Sequence, residues 1–415
     1  MNGTPLHAAR LERVERAFRS LPGRYLGAEE GFDATYHVRL VDVGHSWEVR
    51  CTTHGARVRK GVTRRRPDVT IVTDSGTWLA LREGRFSALD AFSRRALTAR
   101  GNLDLGIAFE GMFRLPSGRP PLVRMHDVRA GRERVSTLTM GDGPDVLLIH
   151  GLGGTKASLY ETAAALSRDH RVHAIDLPGF GSSSKPLTAP YDARWYASVV
   201  LDLMEALGIG RAHLVGNSMG GRVAIEVGLR APERVTALGL LCPSVAFVRR
   251  DFHAIVRLLR PEFGFVPHRF TRGTVERQFW ALFSDRDLVD PAVGEVVVDE
   301  FQRIYGSAGA RYAFLASARN IYLEPPYGRG GFYRRLGGLR PPALFVWTRG
   351  DRLVPAAFER HVRRALPSAE QIVLDSCGHV PQVERPEQTN GLLRRFFAQV
   401  EALGGAGGRT PAQAA

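Results

Sequence analysis

The sequence predicts an α/β protein: a doubly wound, mostly parallel sheet with a helical cap, preceded by a smaller α+β module. Three observations carry this. From Val146 onward, unbroken apolar strands bounded by turn residues alternate with helical patterns, as in a parallel sheet covered on both faces. Ahead of the proline- and glycine-rich stretch Leu115 to Pro121, short strands of alternating polarity come first and helices after them, the order of an α+β module. Between one apolar strand and one helix stands Gly216-Asn217-Ser218-Met219-Gly220, a turn that glycine makes tight enough to push a serine hydroxyl out of a sheet edge.

Taken in order, Leu11, Val14, Ala17, Phe18 and Leu21 recur at helical spacing until Pro22-Gly23 stops them. Val38-Leu40, Ser46-Cys51 and Val69-Thr73 alternate and are expected to form half-buried strands of an antiparallel sheet. Helices are expected over Thr77-Glu83 and Ala88-Leu97, and a last element from Gly101 leads to Phe109, Met112 and Phe113. Past the boundary, a hairpin turns at Gly131. Strands follow at Val146-Ile149, Val172-Ile175, His213-Val215 and Ala237-Leu241, with a helix over Trp195-Leu207. The alternation breaks from about Val245 to Leu336, where aromatic and arginine residues concentrate. It resumes at Ala343-Val346, runs through Gln371-Leu374 and closes with a helix ending near Val400.

An insertion of that size between two buried strands must leave the sheet. Ligands bind beyond the carboxyl ends of open α/β sheets, so the insertion is expected to cap the active site. The expected layout is an amino-terminal helix over 1–23, the module over 24–116, the larger domain over 122–402 with its cap at 245–336, and a disordered tail over 403–415.

The length of 415 residues fits two domains, and 44% hydrophobic residues suffices for two cores. Three widely spaced cysteines, Cys51, Cys242 and Cys377, argue against a disulfide framework or a zinc site and fit a reducing compartment. No signal-like or membrane-spanning run is present, so a soluble cytoplasmic protein is expected. The net charge of +15 is densest at Arg64-Arg65-Arg66. No nucleic-acid motif accompanies it, so no specific nucleic-acid partner is expected. A solvated, arginine-biased surface accounts for the charge, and attraction to an anionic membrane surface or an anionic substrate fits it better than nucleic acid.

The chemistry lies at strand ends. Asp351 follows the strand ending in Trp347, and His379 follows the next strand within Cys377-Gly378-His379-Val380-Pro381. Ser218, Asp351 and His379 therefore come in chain order at the carboxyl ends of three strands. A serine hydroxyl needs an imidazole to take its proton, and the imidazole needs a carboxylate to fix its tautomer. His150-Gly151-Leu152-Gly153-Gly154 follows the first buried strand, and its glycines let backbone N–H groups approach a substrate. Leu152 N–H and Met219 N–H are the expected oxyanion donors. No Lys-Ser/Thr follows these glycines, so a phosphate loop is a poor reading. Asp176 is expected to shape its own loop, His126, His173 and His213 to pack in strands, Cys377 to fill space, and Asn217 to need no catalytic role.

These residues, together with Asp176-Leu177-Pro178-Gly179-Phe180-Gly181-Ser182-Ser183 and the run Gly378 to Pro386, resemble the α/β-hydrolase fold enzymes over Leu122 to Ala402. The resemblance implies nucleophile Ser218, acid Asp351, base His379 and oxyanion donors Leu152 and Met219, with no cofactor. A serine at the elbow disfavours relatives that use a carboxylate nucleophile. The resemblance leaves open whether the bond cleaved is an ester or carbon–carbon bond, or whether the site acts as a perhydrolase. The segment Tyr25 to Leu115, with Pro67-Asp68-Val69-Thr70-Ile71, Trp78-Leu79, Ala88-Leu89 and Arg100 to Gly106, is similar to the sterol-carrier-protein-type (SCP2) lipid-transfer fold. That similarity implies an apolar tunnel for sterols or acyl chains. Trp78, Leu79, Phe92, Leu97 and Phe109 equally suit an ordinary filled core. The expected function is a serine hydrolase (carboxylesterase- or lipase-like) of esters with a hydrophobic part. The alternatives are carbon–carbon hydrolysis of a ring-cleavage product by the same triad, and a non-catalytic lipid carrier or sensor.

Overall fold

The computed structural model describes residues 5–63, 66–247, 256–258, 260–266, 271–289 and 291–406. Arg64 and Arg65 lie outside the described residues, as does the tail from 407 onward. Residues 403–406, expected to be disordered, are instead the last turn of the closing helix Pro386–Ala406. The chain divides into two compact units, the first running to His126 and including the short segments 138–141 and 295–300. No described helix is long and apolar enough to cross a membrane.

The first unit has five strands: β1 (Asp33–Leu40), β2 (His45–Thr52), β3 (Gly55–Lys60), β4 (Val69–Thr73) and β5 (Leu97–Gly101), in the order β3-β2-β1-β4-β5. The expected antiparallel sheet is in fact mixed, because β4 runs parallel to β1. Side-chain alternation reports which face is buried and carries nothing about a neighbour's direction. The helix expected over Ala88-Leu97 stops at Ser93, and the chain turns through Arg95 at φ +58°. Leu97 and Ala99 then point inward from β5, which pairs antiparallel with β4.

Aromatic rings fill the interior of this unit. Phe18 of the first helix, Pro5–Arg19, stacks on Trp47 at 4.3 Å and on Trp78 at 4.5 Å, and Tyr36 meets Phe109 at 4.7 Å. The buried Arg82 guanidinium lies 5.2 Å from the Trp78 ring and 5.5 Å from that of Phe109. Burial pushes the Glu110 carboxyl up to about 7, against N–H bonds from Ala88 (2.5 Å) and Leu122 and the Arg82 charge, which favour the carboxylate. A carboxyl whose folded pKa is raised is stabilising while protonated, and that stability is lost as pH rises from the ordinary glutamate value towards about 7. The loss is on the order of 3 kcal/mol. Amide exchange in the helix Leu103–Gly111 is expected to be faster, after correction for intrinsic rate, at about pH 8 than at about pH 5. In Glu110→Gln the two corrected rates should match; an equal pH slope in that variant would refute the assignment.

The larger sheet has eight strands: β6 (Val123–Ala130), β7 (Glu133–Met140), β8 (Asp145–Ile149), β9 (Arg171–Ile175), β10 (Ala212–Asn217), β11 (Val235–Leu241), β12 (Ala343–Thr348) and β13 (Glu370–Leu374). Their order is β13-β12-β11-β10-β8-β9-β7-β6, with the six strands from β13 to β9 mutually parallel. Strand order reverses between β8 and β10, the crevice where open α/β sheets hold ligands. The register aligns carboxyl ends: Ile149 lies opposite Gly216, Asn217 opposite Leu241, Leu241 opposite Val346 and Thr348 opposite Leu374. Between β11 and β12 the described residues form helices at Arg272–Trp280, Pro291–Tyr305, Ala308–Tyr322 and Phe332–Leu336.

At the opposite end of the sheet, Glu401 of the closing helix accepts hydrogen bonds from His170 (3.1 Å) and His213 (2.9 Å). His213 stacks on Phe397 at 4.2 Å, and burial holds its imidazole down at about 4, in the neutral form. His173 bonds Asp145 at 3.0 Å. His173 and His213 thus pack at the lower rim of the sheet, joined there by His170, which gave no sequence signal.

Candidate active site

Strand β10 ends at Asn217 and a helix starts at Met219, so Ser218 makes the turn alone. Its backbone sits at φ +53°, ψ −115°, the geometry of the first central residue of a type II′ turn. Such a conformation costs a residue with a side chain about 1–3 kcal/mol. The flanking glycines are required: a Cβ on Gly216 would run into the Gly220 carbonyl, and one on Gly220 into the Ile149 carbonyl oxygen. The turn is fastened by Ser218 N–H donating to Leu241 O (2.9 Å) and by the Asn217 amide donating to Leu241 O and to His379 O, each at 3.1 Å. Asn217 thus ties the serine turn to the histidine loop, a contact between distant segments that no local pattern announces.

Asp351 and His379 meet. His379 Nδ1 lies 2.7 Å from Asp351 Oδ2, and the other carboxylate oxygen accepts from Leu353 N–H (2.8 Å) and Val354 N–H (2.9 Å). A carboxylate can only accept here, so Nδ1 carries the proton and Nε2 is left as the basic nitrogen. The histidine loop is pinned by His379 N–H to Leu282 O (2.6 Å). Buried Glu384 pins it again, accepting from Gly378 N–H (2.6 Å), Asp285 N–H (2.8 Å) and Ser284 N–H (3.0 Å). The Ser218 hydroxyl lies 3.3 Å from the Ser244 hydroxyl, oxygen to oxygen.

The glycine loop after β8 lies alongside. A Cβ on Gly151 would sit 3.3 Å from Ser218 Cβ, and Gly153 takes φ +79°, which favours glycine. His150 holds this loop: its Nδ1–H donates to Gly151 O (2.7 Å) while Nε2 accepts from Leu177 N–H (3.0 Å). Both ring nitrogens are used and burial lowers the pKa, so His150 is neutral. Because a trans peptide points its C=O and N–H in opposite directions, fixing Gly151 O towards His150 aims Leu152 N–H away from that ring. Met219 is the first residue of its helix, where N–H groups have no partner within the helix.

Asp176 does not join this group. Fully buried, it accepts from Lys156 Nζ (2.7 Å), Lys156 N–H (2.8 Å) and Ser182 N–H (2.9 Å), so it shapes its own loop as expected. Lys156, fully buried beside it, gave no sequence signal. Another buried network joins the elbow helix to the insertion: Arg222 bonds Glu226 (3.1 Å) and Glu324 (3.0 Å), and Arg335 bonds Glu226 (2.9 Å).

Among the described residues, two groups have metal-like spacing. In Cys242-Asp351-His379, the imidazole nitrogen that faces the carboxylate already donates its proton to Asp351 and has no lone pair for a metal. In His170-His213-Glu401, neither Nδ1 has the partner that orients a metal-bound ring. Neither fits a metal.

Residues 146–392 match the model of the alpha/beta hydrolase family, and residues 16–114 match that of the SCP-2 sterol transfer family. The chain is 34% identical over 258 residues to the dihydrolipoyllysine-residue acetyltransferase component of the acetoin cleaving system of Pseudomonas putida, covering 61% of this chain and only 64% of that relative. It is 30% identical to the pimeloyl-[acyl-carrier protein] methyl ester esterase of Aeromonas hydrophila, covering 63% of this chain and 98% of the esterase. Among solved structures it resembles the 2-hydroxy-6-oxo-6-phenylhexa-2,4-dienoate hydrolase of Rhodococcus sp. strain RHA1, at TM-score 0.56 and 28% identity over 66% of this chain and 99% of that one.

Proposed function

Since the chain belongs to the alpha/beta hydrolase family, we propose that it is a serine hydrolase cleaving carboxylic esters of hydrophobic substrates through an acyl-enzyme on Ser218. The observation carrying this reading is the strained Ser218 turn at the carboxyl end of β10, beside a His379–Asp351 pair in the tautomer that leaves Nε2 basic. His379 takes the Ser218 proton as Oγ attacks the carbonyl carbon. Leu152 N–H and Met219 N–H hold the oxyanion. His379 returns the proton to the leaving oxygen, and a water activated by the same nitrogen then releases the acid. Each proton has a donor and an acceptor among these residues, so the cycle closes without a metal or organic cofactor.

The match to the sterol transfer model supports a hydrophobic substrate and a lipid-like ligand for the first unit. Turnover of p-nitrophenyl esters is expected to increase from acetate to medium-chain acyl groups. Lipids that co-purify with Ser218→Ala protein, identified by mass spectrometry, are expected to carry sterol or acyl chains. Inertness to every ester and to a fluorophosphonate probe would sink the esterase reading and favour a carrier.

Carbon–carbon cleavage is the second reading, favoured by the likeness to the Rhodococcus hydrolase. Assay with a dienol diketone ring-cleavage product beside the esters separates the two. A kcat/KM for the diketone above that of every ester would assign the protein to that reaction.

A further inference from the structure

Apolar side chains stand out of the insertion at one place. Among the described residues the exposed phenylalanines are Phe263 and Phe265, and Val266 beside them is exposed too. Leu258, a little earlier in the chain, is 72% exposed. A cluster of this kind marks a contact surface, whereas single exposed apolar residues mark nothing. Its mount is firm. The short turn Pro261–Phe265 is pressed onto the helix Ala308–Tyr322, where a Cβ on Gly264 would run into the Tyr312 backbone. Gly264 O accepts from buried Arg311 Nε (2.9 Å), and the Phe265 and Tyr312 rings lie 5.5 Å apart. About 12 Å further along the same helix, Arg319 donates to Arg257 O (2.6 Å) and holds the backbone next to Leu258.

The charge around these side chains selects the partner. Residues 249–277 contain seven arginines against three acidic residues, and between Leu258 and Val266 the acidic residue is Glu262 alone. Arg257 and Arg260 are exposed and have no acidic partner among the described residues, whereas Arg272 is paired with Glu276 at 2.9 Å. Apolar groups flanked by unpaired guanidiniums complement a bilayer with anionic headgroups: the rings enter the acyl boundary and the arginines stay at the phosphates. A folded partner, such as a second copy of this chain, needs a shaped complement, which side chains standing singly out of a turn do not offer.

We propose that this face of the insertion docks on anionic lipid bilayers, with Leu258, Phe263, Phe265 and Val266 entering the surface and Arg257 and Arg260 meeting the headgroups. The supporting helix ends at Tyr322, whose hydroxyl accepts from Ser244 (3.5 Å), and Ser244 lies 3.3 Å from Ser218. The helix that carries the docking face thus reaches the proposed nucleophile, which suits a substrate taken from a lipid surface. Docking itself is independent of which bond Ser218 attacks.

Sedimentation of the full chain with vesicles tests this. The chain should bind vesicles of phosphatidylcholine and phosphatidylglycerol in equal parts at least about tenfold more tightly than pure phosphatidylcholine, and raised salt should weaken that binding. Leu258→Ser with Phe263→Ser, and separately Arg257→Glu with Arg260→Glu, should each weaken binding to the mixed vesicles about tenfold or more. The thermal midpoints should stay parental, because all four side chains are exposed. No binding by the parent would overturn the proposal, and so would parental binding by both double variants, since the lipid contact would then lie elsewhere on the chain. A parent that is dimeric by light scattering and becomes monomeric with Leu258→Ser and Phe263→Ser would give the face to a second copy and overturn it as well.

Discussion

Ser218→Ala is expected to lower kcat for ester hydrolysis by at least about 10⁴-fold, because nothing else at the elbow can carry an acyl group. The fold should survive. Alanine keeps the Cβ and so keeps the backbone strain of φ +53°, and its methyl group fits wherever the serine Cβ fits. Ser218→Gly separates the strain from the chemistry. It should be equally inactive yet more stable than Ser218→Ala by about 1 kcal/mol, since glycine adopts a positive φ without penalty. Equilibrium unfolding beside the ester assay checks both halves. A Ser218→Ala protein with more than a few per cent of parental kcat would remove Ser218 from the mechanism, whatever its stability.

The candidate site was readable because its signals are local and the sheet brings them together. Each of Ser218, Asp351 and His379 follows an apolar run that forms a strand, buried throughout for the first two and half-exposed at the sheet edge for the third, and parallel register puts the ends of such strands at one edge. Glycines at Gly216, Gly151 and Gly153 mark close backbone approach, which side chains forbid. The first unit was less readable. Its β3 is too polar to show a buried face, and the helical apolar pattern read over Ala88–Leu97 runs on past Ser93 and through Arg95, where the chain in fact turns into β5. The supporting residues Asn217, Lys156, Ser244 and Tyr322 work through partners distant in the chain, from 20 residues for Lys156 and Asp176 to 162 for Asn217 and His379. No window of sequence contains both halves of such a contact. Tyr322 has a further handicap, since it sits in an insertion with composition but no motif.

Two buried aspartates at this sheet edge invite confusion, and their environments predict opposite failures. Asp351→Asn should keep the fold, because the amide oxygen can still accept from Leu353 N–H and Val354 N–H. Its NH₂ would then face His379 Nδ1, which must turn acceptor and move its proton to Nε2. That tautomer cannot take a proton from Ser218, so kcat should fall about 10⁴-fold with little change in stability. Asp176→Asn should do the reverse. Lys156 is fully buried, and its ammonium would lose the carboxylate 2.7 Å away that balances its charge. Breaking a buried pair from one side costs about 3–5 kcal/mol. The folded fraction should nonetheless retain kcat within about tenfold, since Asp176 touches neither Ser218 nor His379 among its hydrogen bonds. Urea midpoints measured beside kcat place each variant on one axis or the other. If Asp176→Asn proved stable and inactive, and Asp351→Asn unstable and active, the acid of the proposed triad would have to be reassigned.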